Sequence, residues 1–65
     1  MITVNGEEFP WHEGLNVSGL LREKRYTYPS LVISINGELV NDGKYNTTMI
    51  ADGDDVKVIH LIAGG

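Results

Sequence analysis

The fold turns on the stretch Leu31-Val32-Ile33-Ser34-Ile35-Asn36-Gly37-Glu38-Leu39-Val40. Its first five residues are apolar almost throughout and rich in β-branched side chains, which predicts a strand in the middle of a sheet. Asn36-Gly37 then offers the two positive-φ positions of a tight hairpin turn. Glu38-Leu39-Val40 is long enough for a short returning strand. A β-hairpin therefore sits at the centre of the chain, and the segments on either side must supply whatever covers it.

Upstream, Met1-Ile2-Thr3-Val4 alternates, and Asn5-Gly6 is a second hairpin turn of the same type. Glu7 to Trp11 reads as the return strand, with Phe9 and Trp11 on one face. Pro10 carries no amide donor, so this strand belongs at a sheet edge. A helix follows. Asn16 is its expected N-cap, and Leu15 with Leu20 can form a hydrophobic staple across the first turn. Val17, Leu20, Leu21 and Lys24 recur at helical spacing and give a narrow apolar face. Gly19 costs this helix about 1 kcal/mol relative to alanine. Arg22, Lys24 and Arg25 suit the C-terminal end of the helix dipole. Pro29 disfavours helix at Tyr28, which predicts an end by about Tyr26.

Downstream, Asn41-Asp42-Gly43 is a turn. Residues 44–50 read either as a short strand or as one irregular turn anchored by Tyr45, Met49 and Ile50. Ala51-Asp52-Gly53-Asp54 turns again, and a last strand is expected from Asp55 to Ile62. The order is hairpin, helix, then two or three strands. This predicts an α+β roll of four to five strands in a mixed sheet, with one helix packed across it.

The chain has 65 residues, which bounds it to one domain. It has no cysteine, and His12 and His60 are not spaced as a ligand pair, so neither disulfide nor thiolate metal site supports so small a core. A chain of this size favours a carrier, subunit or binding module over an independent enzyme. Nine acidic against five basic residues argue against a phosphate-backbone partner, since only Arg22, Lys24 and Arg25 cluster. No apolar run approaches the ~20 residues of a membrane span, and the N-terminus lacks the features of a signal peptide. The expected location is the cytoplasm, with neither nucleic acid nor membrane as partner.

The whole chain resembles the ThiS-type sulfur carriers of thiamine biosynthesis, which are ubiquitin-like β-grasp proteins. The resemblance is carried by the first strand with Asn5-Gly6, and by Leu15-Asn16-Val17 with Leu20-Leu21. It continues in Val32-Ile33-Ser34-Ile35-Asn36-Gly37-Glu38-Leu39-Val40. It is closest in the block from Asp52-Gly53-Asp54-Asp55-Val56-Lys57-Val58 to Ile62-Ala63-Gly64-Gly65. One departure stands out: where the family usually carries a proline and a basic residue after the second hairpin, this chain has Asn41-Asp42-Gly43.

The resemblance implies a β-grasp domain over residues 1–62 and an extended tail over 63–65. It implies that Gly65 is adenylated and then converted to a thiocarboxylate that donates sulfur for thiazole formation. Ala63, Gly64 and Gly65 would thread into a partner's slot, because glycine has no Cβ to clash there. The chain has no phosphate-binding Gly-x-x-x-x-Gly-Lys motif, so ATP and magnesium belong to a partner and the chain binds no cofactor of its own. The implied partners are an adenylating enzyme of the ubiquitin-activating type, a sulfur donor system and a thiazole synthase. Other readings of the same pattern are a molybdopterin carrier subunit, a ubiquitin-like modifier and an inert β-grasp interaction module.

Strand alternation puts Val56 and Val58 in the core, with Ile59 and Leu61 on the helix-free face as a candidate docking surface. His60 reads as a histidine at the sheet rim. Asp52, Asp54 and Asp55 read as an acidic turn, lacking the remaining ligands of a calcium loop. Glu7 and Glu8 point to opposite faces of their strand and cannot act as a catalytic pair. Trp11 reads as a packing residue.

Overall fold

The computed structural model describes residues 1–26 and 31–60. Five strands and one helix appear among them. Strands β1 (Ile2–Val4) and β2 (Glu7–Phe9) form the first hairpin. Helix α1 (Val17–Glu23) follows, then β3 (Leu31–Ile35), β4 (Glu38–Val40) and β5 (Asp55–His60). The sheet order is β2-β1-β5-β3-β4. Only the β1–β5 pair is parallel, so the sheet is mixed as expected.

Both Asn-Gly turns form, with Asn5 at φ 53° and Asn36 at φ 52°. The strand carrying Pro10's neighbours is indeed an edge, although it stops at Phe9, short of Trp11. One expectation fails: β5, not β3, is the central strand. Apolar content could not decide this, because β3 is covered on one face only. Ile33 is fully buried, while its neighbours Val32 and Ser34 are part-exposed on the other face.

The core is Ile2, Val4, Leu15, Val17, Leu20, Ile33, Ile50, Val56 and Val58. It lies between the sheet and α1. Leu15 and Leu20 are both buried in the one core, as the expected staple requires. Asn16 caps the helix by accepting from the Gly19 amide at 2.7 Å. The same geometry explains Gly19: a Cβ there would lie 3.1 Å from Asn16 Oδ1, so alanine would press on the cap.

Of the two alternatives for residues 44–50, the structure shows the irregular turn and not the strand. A 3-10 turn, Asp42–Lys44, leads into a loop that serves the helix. The Val17 amide donates to the Thr48 carbonyl at 3.1 Å, and Ser18 donates to Tyr45 at 3.0 Å. Asn16 Nδ2 donates to the Asn46 carbonyl at 3.1 Å. The first three helical amides, which no helix can satisfy itself, are thus all paired. Ile50 anchors the loop in the core, and Tyr45 is half-buried. Met49 is exposed and is not an anchor.

The helix ends at Glu23, before Tyr26 as expected. Arg25 adopts φ 59°, its amide donates to Arg22 and the Tyr26 amide reaches back to Leu21. These two bonds make a Schellman cap whose left-handed position holds arginine where glycine is usual. Leu21 and Tyr26 both pack against the core beside it. Pro29 lies outside the described residues. Replacing Arg25 with glycine should stabilise the protein by about 1 kcal/mol, since the left-handed conformation penalises a side chain. Urea denaturation of the Arg25→Gly variant measures this directly.

Candidate functional site

Both ends of β5 are tied down by asparagine side chains. At its start, the Asn36 backbone N–H donates to the Asp55 carbonyl at 2.8 Å, and the side-chain Oδ1 of Asn36 accepts from the Asp55 backbone N–H at 2.9 Å. Nearer its end, Asn5 Oδ1 accepts from the Val58 amide at 2.8 Å, and Asn5 Nδ2 donates to the Val58 carbonyl at 3.1 Å. Val58 is the last core residue of the strand among those described. His60 pairs in register with Leu31 at the end of the ladder and is exposed, as expected of a rim histidine.

The expected functional residues Leu61, Ala63, Gly64 and Gly65 lie outside the described residues, as does the boundary drawn at residue 62. Of the two docking candidates, Ile59 is described. It is 52% exposed and pairs with Val32 on the face away from the core. Leu39, 74% exposed and opposite Ser34, lies on the same face. With Val32 on the intervening strand they form an apolar strip, flanked by Lys57. Leu39 is not among the docking residues expected from the sequence. The available signal was its alternation with Val40, which faces the core.

Among the described residues, no group of three or more His, Asp or Glu could hold a metal ion. The acidic turn has another role. Asp52 pairs with the N-terminal amine at 2.6 Å. Asp54 accepts from the Ala51 amide at 2.8 Å and from Asn36 Nδ2 at 3.0 Å. Asp55 accepts from the Thr3 hydroxyl at 2.9 Å. These carboxylates join β1, the β3–β4 turn and β5. Trp11 donates to the Ile50 carbonyl at 2.7 Å, which confirms it as a packing residue with a satisfied indole. An open groove of about 400 Å³ runs beside β4, with Val40, Lys44 and Met49 among its walls.

His12 lies away from β5, at the start of the loop before α1. Its Nδ1 contacts the Glu13 carbonyl at 3.1 Å, and its Nε2 contacts the Glu23 carboxylate at 3.3 Å. Both contacts want a donor, and only imidazolium has two N–H groups. The Glu13 carbonyl, then Glu23, therefore raise the histidine above its ordinary value of 6.5. A raised folded-state value adds stability below the unfolded value, and that stability is lost as pH rises through the folded one. NMR titration should place the His12 midpoint above 6.5, and Glu23→Gln should lower it.

The mixed five-strand sheet grasping one helix, with its last strand at the centre, defines a ubiquitin-like β-grasp protein. The ThiS family model matches residues 2–65, and the chain belongs to the ThiS family. The crystal structure of the thiamine biosynthesis protein ThiS from Geobacter metallireducens superposes with a TM-score of 0.82 at 28% identity, covering 98% of this chain and 97% of that one. The sulfur carrier protein ThiS of Bacillus subtilis is 21% identical over the full length of both chains. The uncharacterized protein ycf40 of Porphyra purpurea is 33% identical over 98% of this chain and 90% of its own length. A thiazole synthase of Magnetococcus marinus is 28% identical over 98% of this chain, which spans only 20% of that protein.

Proposed function

We propose that this protein is a sulfur carrier of thiamine biosynthesis whose reactive group is the Gly65 carboxylate. The observation that carries the reading is that the family match runs through Gly65, so Ala63-Gly64-Gly65 falls inside the family pattern. Full-length coverage in both directions with the Bacillus sulfur carrier supports the same register.

The chemistry follows from the group itself. A free α-carboxylate, with a pKa of about 3.3–3.7, is ionised at neutral pH and resists nucleophiles. A carboxylate oxygen attacks the α-phosphorus of ATP and expels pyrophosphate, giving an acyl adenylate. A sulfur nucleophile at the sulfide level then displaces AMP, which carries one former carboxylate oxygen away. The net change is one oxygen exchanged for sulfur. The nucleotide and its magnesium sit on an adenylating partner of the ubiquitin-activating type, and a separate donor system supplies the sulfur. Extended, residues 61–65 span roughly 17 Å, enough to cross a channel while the globular body stays outside. The chain is thus a co-substrate and not a catalyst.

A thiazole synthase is the acceptor in this account. Its support is the Magnetococcus thiazole synthase, which contains a segment similar to this whole chain. Joining carrier and acceptor in one polypeptide raises their effective concentration for each other. The strip of Ile59 and Leu39 is the proposed docking surface for the adenylating enzyme, and none of the buried core residues lies in it.

Deleting Gly65 should leave thermal unfolding unchanged and abolish sulfur loading in a mixture of carrier, adenylating enzyme, ATP and sulfur donor. Loading of the shortened chain at the wild-type rate contradicts the proposal. Ile59→Asp should weaken binding to the adenylating enzyme by about tenfold or more, as loss of a buried apolar anchor does. Its folding stability should fall by less than about 1 kcal/mol, because the side chain is half-exposed on a strand. Titration calorimetry and urea denaturation separate the two effects.

A further inference from the structure

Strand β1 covers only the first part of β5. Its last registered pair is Val4 with Val56, and the Asn5 amide still donates to the Val56 carbonyl at 2.9 Å. At Asn5 the backbone turns away into the hairpin at φ 53°. The side chain continues where the backbone leaves. Its amide presents one acceptor and one donor to the Val58 N–H and C=O, as the next peptide of a longer β1 would. Past Val58, the sheet register pairs Ile59 and His60 with Val32 and Leu31 of β3.

Asn36 makes the counterpart clamp at Asp55, at the opposite end of β5. The chain therefore carries two asparagine clamps in the same left-handed turn conformation. One holds the start of the strand. The other holds its last core residue, ahead of the segment that ends in Gly65.

We propose that Asn5 is a positioning residue for the carboxyl-terminal segment: its clamp on Val58 fixes the end of the strand that precedes residues 61–65. This inference rests on the carrier reading given above. Losing the clamp moves the last two-sided anchor of β5 from Val58 back to Val56, so that two more residues are held by β3 alone when Gly65 enters a partner's slot. The extra motion this allows must be quenched on docking and costs conformational entropy, which is met before the chemical step. The clamp therefore acts on capture of the carboxylate and not on its activation.

The two clamps supply their own control. Asn5→Gly and Asn36→Gly each remove the side chain and keep a residue at ease with positive φ. Two readouts are taken on the full chain: amide hydrogen exchange, and KM and kcat as substrate of the adenylating enzyme. Asn5→Gly removes both hydrogen bonds to Val58, so it should speed exchange at Val58, Ile59 and His60, and should raise KM about three- to tenfold with kcat unchanged. Asn36→Gly should leave KM and those three amides unchanged. Asn5→Asp keeps the acceptor for the Val58 amide but sets a carboxylate oxygen against the Val58 carbonyl, so it also speeds exchange at Val58 and raises KM, and it serves if Asn5→Gly does not fold. The inference is overturned if both glycine variants raise KM in proportion to lost stability, or if Asn5→Gly leaves the Val58 amide as protected as before. If the wild-type chain is never adenylated, the carrier reading fails separately. Hydrogen exchange then decides the clamp alone: faster exchange confined to residues 58–60 upholds it, and faster exchange along all of β5 overturns it.

Discussion

The structure depends on β5 being held from both sides. It pairs with β1 in parallel on one side and with β3 antiparallel on the other, at the middle of the sheet. Neither neighbour is long: β1 has three residues and β3 five. Short strands alone make a weak seam, and the two asparagine clamps extend it in both directions. Each Asn-Gly turn thus has two functions. The backbone reverses a hairpin, and the side chain it leaves behind hydrogen-bonds the central strand. The acidic turn before β5 adds a third set of ties, through Asp52, Asp54 and Asp55. A chain of 65 residues without disulfides needs such local closure, because among the described residues only nine side chains are buried in its core.

A second constraint shapes the rest of the molecule. Helix α1 is only seven residues long, so its unpaired first-turn amides are a large share of its backbone groups. Asn16 satisfies one, and the carbonyls of Thr48 and Tyr45 satisfy two more. The loop that supplies them has no regular structure because its path follows the helix end. Ile50 then fixes that loop in the core. Helix, loop and sheet close around one another, which is the grasp that names the fold.

Much of this was legible in the residues, and the reason is locality. Asn-Gly turns, the Asn16 cap, the Leu15–Leu20 staple and the Pro10 edge are all decided by neighbours in sequence. What escaped was decided by partners far away. The central position of β5 depends on β1 arriving beside it from the other end of the chain, and β3 carries as many apolar residues. Residues 44–50 showed no period because they answer to helix amides almost thirty positions upstream. The left-handed cap at Arg25 was hidden because arginine stands where glycine would have signalled it. For the functional residues, alternation placed Ile59 correctly on the open face. It would have placed Leu39 there too, had β4 been read for its outward side chains. Membership of the ThiS family was legible from the order and spacing of these same elements, and the family match over residues 2–65 shows it.

The account's central claim is that covalent chemistry occurs at one atom group of this chain, the Gly65 carboxylate, and nowhere on its side chains. Intact-mass spectrometry of the protein purified from its native host tests it most directly. The account predicts a fraction of the protein heavier by one oxygen-to-sulfur exchange, with the added mass confined to the peptide ending in Gly65. Sulfur found on any other peptide, or a wholly unmodified population under conditions of active thiamine synthesis, would contradict it.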